Sequence, residues 1–157
     1  MRLKVIMIGK TDEDWVLKGV KKYSDRLKHY IKMEWVEIPD LKGISKLSIE
    51  EQKEKQSAKL MEHIVSADHV ILLDENGKEF SSREFSGMFQ KRMNAGTRQF
   101  CLVIGGPFGF SQELYQKANG KISLSRMTFS HQMIRPFLVE QVYRAMTILK
   151  GEKYHHD

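Results

Sequence analysis

With 157 residues, 41% hydrophobic and 29% charged, the chain has the size and composition of one globular domain that buries a core without metal or disulfide support. Its single cysteine, Cys101, excludes an intramolecular disulfide, and its place in an apolar run points to plain packing. No apolar run approaches the roughly 20 residues of a membrane helix, and the opening run 2–9 is too brief for a signal-peptide core, so the cytoplasm is the expected compartment. The formal charge of +6 keeps a polyanionic partner in view, because neutralising phosphates drives nucleic-acid affinity.

In chain order, residues 2–9 (RLKVIMIG) read as a first strand ending at a glycine. Thr11, Asp12, Glu13 and Asp14 place a capping residue and acidic groups at a helix start. Val16, Val20, Tyr23, Leu27 and Ile31 then mark one helical face. Lys18, Lys21, Lys22, Arg26 and Lys28 fall mostly elsewhere on that helix, as a solvated or an RNA-facing surface. Residues 33–38 (MEWVEI) alternate and stop before Pro39, giving strand two. Ser48 and Glu51 have capping-box spacing and open a charged helix to about Ser66.

Strand three is the apolar run 69–73, followed by a turn at 74–78. Ser81 and Glu84 form a second capping-box pattern, and the helix behind it ends near Asn94 with Gly96 as a left-handed cap. Strand four, 100–104, breaks at the glycine-rich 105–109 (GGPFG). Ser111 caps a short helix that stops near Gly120. A short strand, 122–124, a polar loop, 125–130, and a long C-terminal helix complete five βα repeats. Continuous apolar runs in strands three and four predict an α/β fold: a five-stranded parallel sheet with helices on both faces. No linker or repeat divides the chain, so one domain, 1–157, is expected.

Ligands of open α/β sheets sit beyond the carboxyl ends of the strands. Here those ends are 73–74, 105–106 and 124–129. Adjacent glycines allow close backbone approach to a ligand, and equally make a simple tight turn into the next helix. The spacing matches neither the dinucleotide fingerprint nor a P-loop, which favours an adenosine-type ligand over a phosphate cradle. His131 stands at the expected start of the last helix, capped by Ser130. There the dipole favours a neutral imidazole that accepts a proton or bonds a base edge, or merely binds nearby backbone. Glu140 and Arg144, four apart, form a helix-face ion pair or face a nucleotide. Pro136 implies either that the helix begins there or that it kinks. His155 and His156 lack partners at zinc-ligand spacing, so no metal is expected.

The segments VIGGPFG (103–109), LSRMTFSHQMIR (124–135), EQVYRA (140–145) and GEKYHH (151–156) together resemble the ribosomal RNA large subunit methyltransferase H family, a small branch of the SPOUT class. The likeness covers essentially the whole chain, including the IGK after strand one and the Leu-Asp…Gly-Lys segment at 73–78. It implies an α/β knot with a C-terminal trefoil knot, a homodimer, and S-adenosyl-L-methionine as methyl donor. The implied activity is methylation of N3 of a pseudouridine in large-subunit ribosomal RNA, on assembled ribosomes. Carried over by position, the cofactor contacts are Leu73, Gly106 and the loop Ser125, Arg126, Met127, Thr128, Phe129 and Ser130, with Gly105 and Leu124 adjacent. Ser130 stands where a proline commonly precedes the family's histidine. The acceptor nitrogen must lose a proton, which gives His131 or Glu140 a role as base. Arg144 stabilises the anion or holds phosphate, and Tyr154 and His155 position the nucleotide, from the partner subunit. The competing readings are a basic ribosome-associated RNA-binding protein without catalysis, and a SPOUT methyltransferase acting on transfer RNA. The absence of an appended RNA-binding domain favours the ribosome over free RNA.

Overall fold

The computed structural model describes residues 1–156; Asp157, the last residue of the expected domain, lies outside them. Five strands, β1 (Arg2–Ile8), β2 (Lys32–Ile38), β3 (His69–Glu79), β4 (Gln99–Ile104) and β5 (Gly120–Ser123), alternate with helices α1 (Asp14–Leu27), α2 (Ile49–Ile64), α3 (Ser82–Asn94), α4 (Gln112–Lys117) and α5 (Ile134–Leu149). The strands form one sheet in the order β2-β1-β4-β3-β5, and every pairing is parallel. Leu3, Val5, Met7, Phe100 and Leu102 point to the face covered by α1, α3 and α5. Ile6, Ile8, Cys101 and Val103 point to the other, covered by α2 and α4. This two-sided burial is why β4 reads as an uninterrupted apolar run.

Local chemistry sets most boundaries. Both capping boxes form, with Ser48 capping α2 and Ser81 capping α3. Gly96 follows α3 with φ 71°, and Ser111 caps α4. Helix α1 differs from expectation: it begins at Asp14 behind Glu13, without a side-chain cap. Thr11 is instead buried and bonded through its N–H and hydroxyl to Glu37 of β2. Strand β3 also runs beyond Leu73, to Glu79. Ile122 of β5 pairs with both Leu73 and Lys78, on either side of an irregularity at 74–77. A Cβ on Gly77 would lie 2.3 Å from the Ile122 carbonyl carbon, so only glycine permits this close passage.

The start of α5 resolves the Pro136 question differently from either alternative. The helix begins at Ile134, so Pro136 lies in its first turn, where no N–H needs an intrahelical acceptor. A separate turn at 131–133 leads into it. Next to the proline, Arg135 is 1% exposed. Its Nη2 donates to the carbonyls of Ile8 (2.9 Å) and Gly9 (3.1 Å) at the end of β1. Its Nη1 donates to Thr11 Oγ1 at 2.7 Å and its Nε to the His131 carbonyl at 3.1 Å. The Glu37 carboxylate stands 4.0 Å away, itself held by Trp35 Nε1 at 3.0 Å.

Replacing Arg135 with Met keeps bulk but leaves the buried Ile8, Gly9 and His131 carbonyls without this donor and removes the cation beside Glu37. Because breaking a buried charge network costs about 3–5 kcal/mol, urea denaturation of Arg135→Met is expected to show a loss of that order. A loss below about 1 kcal/mol, the value of a surface pair, would overturn this account.

Candidate active site

Beyond the carboxyl ends of β3, β4 and β5 lies a cavity of about 440 Å³, in the range of small-molecule sites. Leu73, Ile104, Phe110, Ile122 and Leu124 give it apolar walls, and the 105–109 turn supplies backbone. Asp74, Ser123, Ser125, Thr128 and His131 add polar groups. The loop after β5 is shaped by its own hydroxyls. Ser123 Oγ donates to the Ser125 carbonyl at 2.6 Å, and Ser125 Oγ accepts the Met127 N–H at 2.9 Å. Ser130 Oγ accepts the Met133 N–H at 3.2 Å, so Ser130 caps the 131–133 turn rather than α5 itself. Phe129 stacks on Phe137 of α5 at 5.2 Å between centroids, tying the loop to the helix it precedes.

His131 is the only imidazole on the cavity wall among the described residues. Its pKa lies below 6.5, first because burial penalises the cation and next because the Arg135 guanidinium adds a like charge. Asp40 and the Gly105 carbonyl beside the ring oppose this shift but do not cancel it. Burial and Arg135 thus bias the ring toward the neutral form. Also on the lining, Asp74 accepts a hydrogen bond from the Tyr115 hydroxyl and from the Asn76 N–H at 2.8 Å. Burial and this carboxylate together push the Tyr115 pKa up.

A second polar cluster forms where α5 meets α1 and the C-terminal tail. Arg144 donates to Glu140 Oε1 from Nη2 (2.6 Å) and Nε (3.1 Å). The Tyr154 hydroxyl donates to the same oxygen at 3.0 Å. The Arg144 guanidinium lies 4.7 Å from the Tyr154 ring centroid, and its Nη1 is 3.4 Å from His155 Nδ1. Burial, then Tyr23 and Glu140, push the Tyr154 pKa up, so its proton stays on oxygen at neutral pH. Tyr143 packs edge-on against Tyr154, with centroids 4.7 Å apart.

A family model described as a predicted SPOUT methyltransferase matches residues 1–155. The chain is 54% identical to the ribosomal RNA large subunit methyltransferase H of Christiangramia forsetii over 156 residues, 99% of each chain. It is 51% identical to that of Flavobacterium johnsoniae, again over 99% of each. The chain belongs to the SPOUT methyltransferases, in the large subunit methyltransferase H family. The fold is also that of a probable methylase family protein from Haemophilus influenzae, with a TM-score of 0.59 at 10% identity over 99% of this chain and 70% of that one. A probable methyltransferase from Bordetella pertussis gives 0.57 at 10% identity, over 92% and 96%.

For a SPOUT chain, the residues expected from sequence divide in two. Leu73, Gly105, Gly106, Leu124, Ser125, Met127, Thr128, Phe129 and His131 all line the cavity. Arg126 does not: its side chain is 90% exposed and points to Glu79 at 3.7 Å. Ser130 is taken up by its cap. Glu140, Arg144, Tyr154 and His155 are brought together, but in the second cluster. Along α5, Glu140 lies about 9 Å and Arg144 about 15 Å beyond Ile134, so one chain does not unite them with His131. Sequence reading placed Asp74 at a ligand-facing strand end without naming it a site residue, and it missed Ser123 and Tyr115. Ser123 had a signal, as the residue before Leu124 at the end of the last strand; Tyr115, on α4, had none.

A shielded His131 is expected to titrate below 6.5 when its ring protons are followed by NMR. Since its folded pKa is depressed, the stability it contributes is full above 6.5 and is lost as pH falls from there through the folded value. His131→Phe is expected to flatten that part of the stability curve, and a midpoint at or above 6.5 would contradict it.

Proposed function

We propose that this chain is a single methyltransferase domain, 1–157, that transfers a methyl group from S-adenosyl-L-methionine to N3 of a pseudouridine in large-subunit ribosomal RNA. The observation that carries the reading is the cavity lined by 73–76, 104–110, 122–125, 127–129 and 131, which draws on three segments of the family resemblance. The full-length identity to methyltransferases named for that RNA supports it. Apolar walls suit the adenine and the methylene groups flanking the donor's sulfonium, while backbone groups of the 105–109 turn and the Ser123, Ser125 and Thr128 hydroxyls offer hydrogen bonds to its polar groups. The donor supplies an activated methyl group on a sulfonium centre. The chain's own task is positioning for in-line attack and removal of the acceptor proton.

His131 is the base in this reading. One ring nitrogen faces the Gly105 carbonyl, and the other, in a neutral ring, accepts the N3 proton. Glu140 is the weaker candidate within one chain, since Arg144 and Tyr154 already occupy its Oε1. The second cluster reaches the cavity from a partner. In a homodimer the Arg144, Tyr154 and His155 side chains of one subunit meet His131 of the other, where Arg144 holds phosphate or the developing anion and Tyr154 donates a hydrogen bond to the base. The trefoil knot belongs to the same reading, with the loop after β5 and the 105–109 turn forming one cavity wall. The enzyme works in the cytoplasm on assembled ribosomes; among the described residues no helix is long and apolar enough to cross a membrane. Its +6 charge assists approach to RNA.

The reading is tested on hypomethylated ribosomes with tritiated donor, followed by mass mapping of the product nucleotide. His131→Ala and Tyr154→Phe homodimers are each expected to lose at least about 100-fold in rate. Mixed heterodimers of the two variants are expected to regain activity, because one of their two sites carries both native residues. Unrestored mixtures would overturn the shared site, and label on transfer RNA alone would overturn the substrate.

A further inference from the structure

The glycine turn at 105–109 is backed by a side chain that sequence reading did not single out. Gln56, on α2, is 5% exposed. Its carboxamide occupies the place where Gly106 would carry a side chain: an added Cβ would meet Gln56 Oε1 at 2.1 Å, Cδ at 2.7 Å and Nε2 at 3.0 Å. The next residue, Ser57, is fully buried, and its Oγ accepts the Ser111 N–H at 2.8 Å. Helix α2 is thus fastened to the chain just after the turn, and Gln56 is held against the turn itself.

Gln56 Oε1 is buried and has no hydrogen-bond partner. A buried acceptor without a donor is costly, and an apolar side chain of the same shape removes the cost. Among the described residues the other such side-chain atom is Gln132 Oε1, and Gln132 adjoins His131. One orphaned oxygen thus stands behind Gly106 of the cavity wall and the other beside His131 of the same wall. Breaches of polar satisfaction are expected at functional sites. Within the turn, Gly109 N–H is bonded to the Gly106 carbonyl at 3.1 Å and Pro107 has no N–H. Gly106 is itself in an antiparallel bridge with Gly109, so the remaining amide donors are those of Gly105 and Phe108, and the Gly106 backbone has no Cβ to keep the carboxamide away.

We propose that Gln56 is a positioning residue of the methyl-donor site. Its Oε1 accepts a backbone N–H of the 105–108 segment when the turn closes on the donor, fixing which face of that peptide meets the ligand. The proposal rests on the reading of this cavity as the donor site. It accounts for an amide where an apolar residue would pack at lower cost, and for the lack of a side chain at Gly106.

The test compares wild type, Gln56→Leu and Gln56→Glu by thermal melting without ligand, by calorimetric titration with S-adenosyl-L-methionine, and by ribosome methylation. Leu removes the orphaned oxygen, so its unliganded Tm is expected to equal or exceed that of wild type. Its donor Kd and KM are expected to rise about five- to tenfold, the value of one hydrogen bond. Glu keeps an acceptor oxygen but buries a carboxyl group, so its Tm is expected to fall while its donor Kd stays within about twofold of wild type. A Leu variant with unchanged donor affinity would overturn the proposal. So would a Leu variant that loses Tm and affinity together while Glu fails to rescue, since that is a packing role. Wild type that binds no donor would instead overturn the reading on which the proposal rests, and the proposal with it.

Discussion

The buried guanidinium of Arg135 is the contact through which the end of β1, the end of β2 and the start of α5 are held in one arrangement. It binds the Ile8, Gly9 and His131 carbonyls and the Thr11 hydroxyl, and it faces Glu37. Taking such a charge out of water is unfavourable unless every donor is matched, so this arrangement has few alternatives. The loop between β5 and α5 has no ladder of its own to fix it. It takes its position from Arg135 at one end and from the Phe129–Phe137 stack and its serine turns along its length. The same guanidinium acts on chemistry, since its charge helps keep His131 neutral.

Helix α5 stands between two polar groups of different character. In the turn before its N-terminus, His131 faces the cavity beyond the strands. A few turns later, Glu140, Arg144 and Tyr154 form a network packed on Tyr23 and Tyr143. The network is partly shielded, which strengthens its hydrogen bonds and makes it costly to break. A rigid helix holds the two groups apart, so chemistry needing both requires a second chain. That is the physical content of a site shared between subunits, and the reason the homodimer enters the proposed mechanism.

The sheet was legible because its strands are buried on both faces and so appear as apolar runs. Both capping boxes were legible because a serine three residues before a glutamate satisfies a local geometric need that no tertiary contact alters. Thr11 was misread as a cap for the opposite reason. Its hydroxyl had a stronger partner in Glu37, 26 positions away, and sequence spacing carries no record of it. Strand β3 was cut short because Asp74 to Gly77 look like a turn. In fact the strand bulges there and resumes its pairing with β5. The cavity residues on the strand ends were readable, whereas Tyr115 and Gln56 come from helices whose faces are assigned only by packing.

The order of elements, the α/β class, the turn glycines and the motifs of the family lay in the linear sequence, because each depends on neighbours within a few residues or on a recognisable string. Which polar residues meet depended on the folded chain. Arg135 could have been a surface cation, Glu140 and Arg144 a solvated pair, and Gln56 an ordinary position on a charged helix. Burial decided all of these, for it determines whether a polar group meets water or must find a partner. That choice depends on contacts between segments tens of residues apart, and only the tertiary structure makes them.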